Sequence, residues 1–437
     1  MLKVLLIQVA REGPGGEVWR PSRLWFHGVT LPYLAALFSP RCEVRIVDEL
    51  AEPVPFDHAC DLVGITFMGA SLPRAMRIAD AFRARGRPVV AGGVTATAYA
   101  QDVLPHVDSL VMGDADGLVE PLLDDLERGT LRQVYRHETP PPLEDAPLPR
   151  YDLVDPGRVG PYFPVEATRG CSIGCSFCAT SHFHGRLQRR KPIASVVRDI
   201  DALRSRGIRR ILFVDDNITL DRRYFRELLE ALKSRDVRWT ANATADIARD
   251  ESLADLMAAS GCESVSIGFE TVTQQNLALA GKARFQTSEY PEAVRRLRER
   301  GIMVLGMFVL GLDHDTPGTF GEIESFLLVN KIEMALFHIL TPVRGTPLHR
   351  DLLEEGRLLD RGFSEHGADR AVFSPAGMSG IELEEGFWEL QRRFYSFGSI
   401  LRRLVLVRPD RHYLRRLPAV AANLYFGWLA RRRQLLI

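Results

Sequence analysis

Short β-branched runs alternate with amphipathic segments almost from the first residue, and this alternation restricts the chain to an α/β architecture. Within residues 1–135 the strand candidates are Val4–Val9, Glu43–Val47, Leu62–Phe67, Pro88–Ala91 and Leu110–Met112. Strands joined through helices lie parallel, so the pattern predicts a doubly wound, Rossmann-like sheet. Prolines then crowd the stretch from His137 through Pro140, Pro141 and Pro142 to Pro147, Pro149 and Pro156. Regular pairing is blocked there, which predicts an extended, semi-rigid linker over 136–161. Alternation resumes with strand positions at about 164–168, 210–214, 238–242, 263–268, 303–310 and 334–340. Six strand–helix units predict a second parallel α/β domain over 162–365. From about Val372 the alternation stops, and 366–437 reads as a helical, basic C-terminal domain.

Three cysteines stand in one short run, Thr168-Arg169-Gly170-Cys171-Ser172-Ile173-Gly174-Cys175-Ser176-Phe177-Cys178. The chain has six cysteines in 437 residues, too few and too scattered for a disulfide scaffold. Cys42, Cys60 and Cys262 read as core residues. Three thiolates fit a four-iron cluster with one iron left open to a chelating small molecule. A structural zinc site completed by His182 or His184 is the alternative. It fits less well, because structural zinc usually shows paired C-x2-C knuckles and only one pair here is that close.

The C-x3-C-x2-C spacing, with Phe177 just before the last cysteine, resembles the signature of the radical S-adenosylmethionine (SAM) superfamily. The resemblance implies a partial (β/α)6 TIM-type barrel over 162–365, in which Cys171, Cys175 and Cys178 hold a [4Fe-4S] cluster whose open iron is filled by SAM. It also implies SAM contacts from Phe177, from Asp215 and Asp216 after strand two, from Glu270 after strand four, and from Gly306 and Gly311 along strand five. In the first domain, small residues follow the strand ends and let a bulky ligand approach the backbone. Their order resembles the cobalamin-binding domain of one large radical SAM branch, which implies that Ser71, Gly92, Gly93, Thr95, Thr97 and Gly113 bind cobalamin. The chain departs from that branch at Thr95, where relatives often carry histidine, and at Asp114 and Asp116, where they carry glutamate. The D-x-H-x-x-G motif is absent from 1–135, which implies a cobalt with no protein histidine below it. A sheet that only packs, or that binds another ligand, is the alternative. Asn242, beyond strand three, and Arg344, which departs from the T-P-x-P-G-T-x-L of cobalamin-dependent relatives, are candidate substrate contacts.

The resemblance implies a cobalamin-dependent C-methyltransferase that acts on an unactivated carbon of a small or hydrophobic metabolite, after hydrogen abstraction by the 5′-deoxyadenosyl radical. It further implies an electron donor such as flavodoxin or ferredoxin. Radical cyclisation, rearrangement or redox change without methyl transfer is the alternative chemistry, since fold does not fix reaction. A non-catalytic zinc- or cluster-binding interaction protein is the alternative of another class. With no P-loop, nucleophile elbow or H-E-x-x-H, kinase and hydrolase readings fail.

Composition narrows partners rather than chemistry. Lys plus Arg and Asp plus Glu both number 56, so net charge points to no nucleic acid. The first residues lead straight into a strand, and no apolar run reaches the roughly 18 residues of a membrane span, so a cytoplasmic chain is expected. From Arg402 the tail holds nine arginines against one aspartate. Within it the apolar stretch Leu417–Ala430 lies between Arg415-Arg416 and Arg431-Arg432-Arg433. Such a helix either caps the barrel or lies against the inner membrane surface, where a lipid-like substrate would be held. Nothing in the sequence bears on oligomeric state.

Overall fold

The computed structural model describes residues 1–13, 15–18, 20, 27–158, 160–406 and 413–435, with the backbone alone for 413–417. The side chains of Arg415, Arg416 and Leu417 therefore lie outside the described residues. Two compact units are formed: the first comprises Met1–Ser172, Ala179–Val214 and Gly362–Gly367, the second Ile173–Cys178, Asp215–Arg361 and Ala368–Ile437.

In unit one, β1 (Leu2–Val9), β2 (Cys42–Asp48), β3 (Leu62–Phe67), β4 (Val89–Gly92), β5 (Ser109–Met112) and β6 (Val134–Arg136) form a parallel sheet in the order β2-β1-β3-β4-β5-β6. The chain winds outward in both directions from the β1/β3 pair, so the ligand edge lies at the carboxyl ends of these strands. One face of the sheet is sealed by the helices Thr30–Phe38 and Val119–Arg128, with Val4, Leu6, Ala35, Leu122 and Leu123 in the shared core. β6 was not anticipated, because three residues carry too little period-two signal.

Unit one also holds β7 (Phe163–Val165), paired parallel with β10 (Arg210–Phe213), and a two-residue hairpin of β8 (Thr168–Arg169) with β9 (Arg189–Arg190). The single strand expected over 164–168 is thus split at Glu166 and Ala167. The proline-rich segment is not a free spacer. Leu143, Ala146, Tyr151 and Val154 are buried, the Arg150 N–H donates to the Pro32 carbonyl at 2.9 Å, and the Tyr151 hydroxyl donates to the Pro164 carbonyl at 2.9 Å. These contacts tie residues 136–161 to the helix Thr30–Phe38 and to β7.

Unit two contains β11 (Arg238–Ala243), β12 (Cys262–Glu270), β13 (Met303–Leu310) and β14 (Met334–Ile339), parallel in the order β14-β13-β12-β11. Alternate residues share a face. One face carries Phe269, Phe308 and Phe337, with Phe269 against Phe308 at 5.7 Å and Phe308 against Phe337 at 5.9 Å between centroids. Tyr290, Phe326 and Phe394, from the helices Tyr290–Glu299, Thr319–Val329 and Gly380–Phe394, pack over them. Burying each such ring stabilises the unit by about 1.5–3 kcal/mol relative to exposure. The other face is half-exposed and carries Leu305, Met307, Val309, Leu336 and His338.

The C-terminal helices belong to this core. The Tyr395 hydroxyl donates to the Ala335 carbonyl at 2.5 Å and accepts from the Ala335 N–H at 3.1 Å, which satisfies the free edge of β14. Arg403 is fully buried. Its guanidinium lies 3.6 Å from the Phe394 ring centroid and donates to the carbonyls of Ile332, Glu333 and Phe394 and to Asn423 Oδ1. Burial pulls its pKa down to about 10. The helix Tyr413–Arg431 turns Ala419, Ala422, Asn423, Phe426 and Leu429 inward. Among the described residues, no helix is long and apolar enough to cross a membrane.

Candidate active site

The loop bearing the three cysteines begins where β8 ends. Gly170 has φ +90°, and a side chain there would run into the Leu187 carbonyl, so the turn requires glycine. Cys171 is buried at the end of unit one, and Cys175 and Cys178 are half-buried in unit two. The Cys178 N–H donates to the Cys175 carbonyl at 3.1 Å, and Phe177 between them is half-buried. Two further loops of unit two grip this segment. The Ser176 N–H donates to the Ala280 carbonyl at 3.2 Å, the Ser176 hydroxyl to the Leu279 carbonyl at 3.2 Å, and the Leu348 N–H to the Ser176 carbonyl at 3.1 Å. Gly281, at φ +78°, passes so close that a Cβ would lie 3.1 Å from the Gly174 carbonyl oxygen and 3.4 Å from Cys175 Cα.

None of the six cysteines is joined in a disulfide. Burial pushes the Cys42, Cys60 and Cys262 thiols up, as suits core residues. Among the described residues, no three His, Cys, Asp or Glu side chains are grouped as a metal site. Three soft sulfur donors lie within eight residues of a constrained loop, a donor set that fits iron–sulfur chemistry. His184, one zinc candidate, is engaged elsewhere, with Nδ1 at 3.6 Å from Asp114 and 3.4 Å from Arg189.

In unit two, Glu270 closes β12 at a bulge, with a left-handed φ of +63°. That conformation is unfavourable for a residue with a side chain and is held here by its surroundings. Lys282 Nζ lies 2.5 Å from Glu270 Oε1 and donates to the Gly268 carbonyl at 3.2 Å. Since Lys282 follows Gly281, the chain that braces Cys175 also positions Glu270. Asn242 Nδ2 donates to the Asp215 carbonyl at 3.0 Å, so Asn242 orders the strand-two loop, where Asp215 is buried and Asp216 exposed. Arg344 is half-buried in the loop that reaches Ser176 through Leu348, and its charge adds to burial in lowering the His349 pKa.

Two glycines expected at the SAM site have packing reasons of their own. Gly306 sits on the aromatic face, where a Cβ would lie 2.9 Å from the Phe308 ring and 3.3 Å from Phe269. Gly311, at φ +93°, fits against Leu383 and Phe373, and its N–H donates to Asp315 at 2.9 Å. Burial raises the Asp315 pKa to about 6, although N–H donors from Gly311 and Leu312 and the Asn276 amide favour the charge.

At the carboxyl edge of the first sheet, Gly93 (φ +99°) and Gly113 (φ +82°) both turn in the left-handed region. Thr97 Oγ1 accepts from the Gly113 N–H at 3.2 Å, and Gly113 itself faces open space. Gly92 lies near Val111, whereas Ser71 and Thr95 are buried. Met68, at the end of β3, is 71% exposed. Sequence reasoning missed the segment Gly362–Gly367, which arrives at this edge from far along the chain. Phe363 stacks edge-on against Tyr99 at 5.0 Å, His366 approaches Gly69, and Arg11 donates to the Ser364 carbonyl at 3.1 Å.

Asp114 and Asp116 turn from this edge toward the cysteine loop. Arg169 Nη1 lies 2.8 Å from Asp116 and 3.3 Å from Asp114, while its other nitrogens clasp Glu166 at 2.9 Å each. The Tyr33 hydroxyl donates to Asp116, and Arg169 lies 5.0 Å from the Tyr33 ring centroid. Arg189 meets Asp114 at 2.5 Å. Burial alone would raise the Asp114 carboxyl, but Arg169, Arg189 and His184 outweigh it and hold it below the ordinary range.

Residues 165–327 match the radical SAM superfamily. The chain is 31% identical over 385 residues to bacteriochlorophyllide d C-12(1)-methyltransferase of Chlorobaculum tepidum, covering 86% of this chain and 84% of that one. It is 27% identical over 362 residues to bacteriochlorophyllide d C-8(2)-methyltransferase of the same organism, covering 78% and 79%. In structure it resembles TsrM of Kitasatospora setae, a radical SAM methyltransferase solved with cobalamin and a [4Fe-4S] cluster, with a TM-score of 0.67 at 18% identity and 99% coverage of both chains. That likeness supports the two-part α/β fold, and with the family match and the long alignment to a methyltransferase it leads to one conclusion: the chain belongs to the radical SAM superfamily.

Proposed function

We propose that this protein is a cobalamin-dependent radical SAM C-methyltransferase that acts on an unactivated carbon of a small, hydrophobic metabolite. The observation that carries the reading is the three-cysteine loop, braced at Ser176 and Gly281, in a chain that aligns over 86% of its length with a bacteriochlorophyllide methyltransferase. When bound, the cluster and SAM supply one-electron hydrogen abstraction, and cobalamin supplies the methyl group.

Cys171, Cys175 and Cys178 would hold the cluster. Glu270, oriented by Lys282, presents a carboxylate acceptor for SAM, with Phe177, Asp215 and Asp216 as further contacts. The backbone at Gly306 and Gly311 remains available to SAM, although their missing side chains are explained by packing. Gly92, Gly93, Thr97 and Gly113 present backbone and small side chains to a corrin, with Ser71 and Thr95 behind them. The missing D-x-H-x-x-G motif supports a cobalt without a histidine ligand below it. Asn242 acts through the Asp215 loop it orders, and Arg344 remains a substrate contact. Flavodoxin or ferredoxin would be the electron donor. The buried face of the helix Tyr413–Arg431 and the Arg433–Glu385 pair at 2.6 Å support a capping role for the tail, and a contact with the membrane surface gains no support from them.

Anaerobic reconstitution with iron, sulfide and cobalamin tests the reading. Four irons and one cobalt per chain, with SAM cleavage abolished by Cys175→Ala and retained by Cys42→Ala, is the expected result. A colourless protein holding one zinc contradicts it.

A further inference from the structure

One polar side chain on the half-exposed face of unit two has no assigned work. His338 lies near the carboxyl end of β14, and in register across β13 it pairs with Val309, as Leu336 does with Met307 and Met334 with Leu305. Neighbours in register in a parallel sheet point to the same side, so the imidazole is set among methionine, leucine and valine. On β12, Gly268 pairs with Met307, and the Glu270–Lys282 pair stands beside Gly268. Among the described residues His338 has no hydrogen-bond partner. Its side chain is only half-buried, so a ring nitrogen is open to a ligand on this face.

The ionisation state narrows the ligand. Burial lowers the His338 pKa and outweighs the opposing Glu270 carboxylate, so the ring is neutral at pH 7. A neutral imidazole offers a lone pair, which imidazolium lacks, and this is the form that binds metal. Ser266 shares this face in register with Leu305, and the Glu270 carboxylate near His338 is already paired with Lys282, so His338 is the neutral metal donor beside Leu305, Met307, Val309 and Leu336 and suits a ligand that is mostly carbon surface with a single Lewis-acidic centre. A magnesium already held by four tetrapyrrole nitrogens takes a neutral axial donor and meets both requirements.

We infer that this barrel face binds a magnesium tetrapyrrole of the chlorophyllide type, with His338 as the axial ligand to its metal and Leu305, Met307, Val309 and Leu336 against the macrocycle. The inference rests on the C-methyltransferase reading and adds the substrate class and the residue that orients it. With the metal fixed at His338, the macrocycle keeps only rotation about that axis, and contacts at its rim select the carbon presented for methylation.

Titrating the cluster-loaded, full-length protein with bacteriochlorophyllide d and with its magnesium-free counterpart, followed by visible absorption, tests this directly. The wild type should bind the magnesium form at least tenfold more tightly, with a shift of its absorption bands. His338→Phe should abolish that preference at unchanged iron content and circular dichroism, and His338→Gly should regain it on addition of free imidazole. Equal affinity of the wild type for the two macrocycles, or a preference that survives in His338→Phe, overturns the axial-ligand assignment. Binding of neither macrocycle by a wild type that still cleaves SAM overturns the substrate class and leaves the methyltransferase reading standing. A wild type that does not cleave SAM fails the parent reading instead.

Discussion

Arg169, two residues before Cys171, holds the Asp116 carboxylate at 2.8 Å, so the β5 loop of the first sheet and the start of the cysteine loop share one buried ion cluster. Without Arg169, Asp116 loses its counter-charge and Glu166 its two-nitrogen clasp, while Asp114 keeps Arg189, and breaking such a buried pair costs about 3–5 kcal/mol. Arg169→Gln should therefore lower stability by that order. Arg169→Lys should recover only part, since an ammonium cannot clasp Glu166 with two nitrogens while reaching Asp116. Urea unfolding with iron analysis checks this. Full stability and full iron loading in Arg169→Gln would show the cluster to be incidental.

Lys282→Met should leave the strained Glu270 without its counter-ion. The expected outcome is SAM binding weakened about tenfold or more, roughly 1.4 kcal/mol or more, at unchanged iron content, measured by equilibrium dialysis on reconstituted protein. Unaltered SAM affinity would separate the Lys282–Glu270 pair from the SAM site.

Strand positions were legible because period-two burial is written locally. Leu62–Phe67 and Met303–Leu310 were placed to the residue. What escaped was long-range. Arg169 and Asp116 are 53 positions apart, and Arg11 and Ser364 are 353 apart, so no local window shows either pairing. Lys282 follows Ala280-Gly281 with no local mark of a role, and only the fold returns it to Glu270. Gly306 and Gly311 looked like ligand-facing glycines because a missing side chain reads the same beside a cofactor as beside Phe308 or Leu383. Asp114 and Asp116 stood at a ligand edge by sequence order, yet their charges go to arginines.

Asp315 gives the fold a pH dependence. Its folded pKa of about 6 lies above the ordinary value of about 3.9. Its stabilising contribution is therefore full below pH 4 and is lost as pH rises through 6, a change of roughly 2–3 kcal/mol across that window. Asp315→Asn cannot ionise and should flatten that part of the profile. Urea midpoints of both proteins between pH 4 and 7 should converge toward high pH as the wild type loses this contribution and the asparagine does not, and the difference between the two curves isolates this group. Parallel curves would contradict the raised pKa.

Met68 is 71% exposed at the end of β3, and replacing it should alter stability by no more than about 0.5 kcal/mol. If the edge it marks receives the corrin, Met68→Glu should reduce cobalt retention several-fold after gel filtration while iron content holds. Undiminished cobalt would place the corrin elsewhere.

The central claim is methyl transfer, and methyl-deuterated SAM tests it most directly. Reconstituted protein with reductant, cobalamin and bacteriochlorophyllide d should yield a product in which one hydrogen is replaced by a trideuteromethyl group, together with 5′-deoxyadenosine and S-adenosylhomocysteine. A product formed with 5′-deoxyadenosine but carrying no deuterium would contradict methyl transfer and point to cyclisation, rearrangement or redox chemistry.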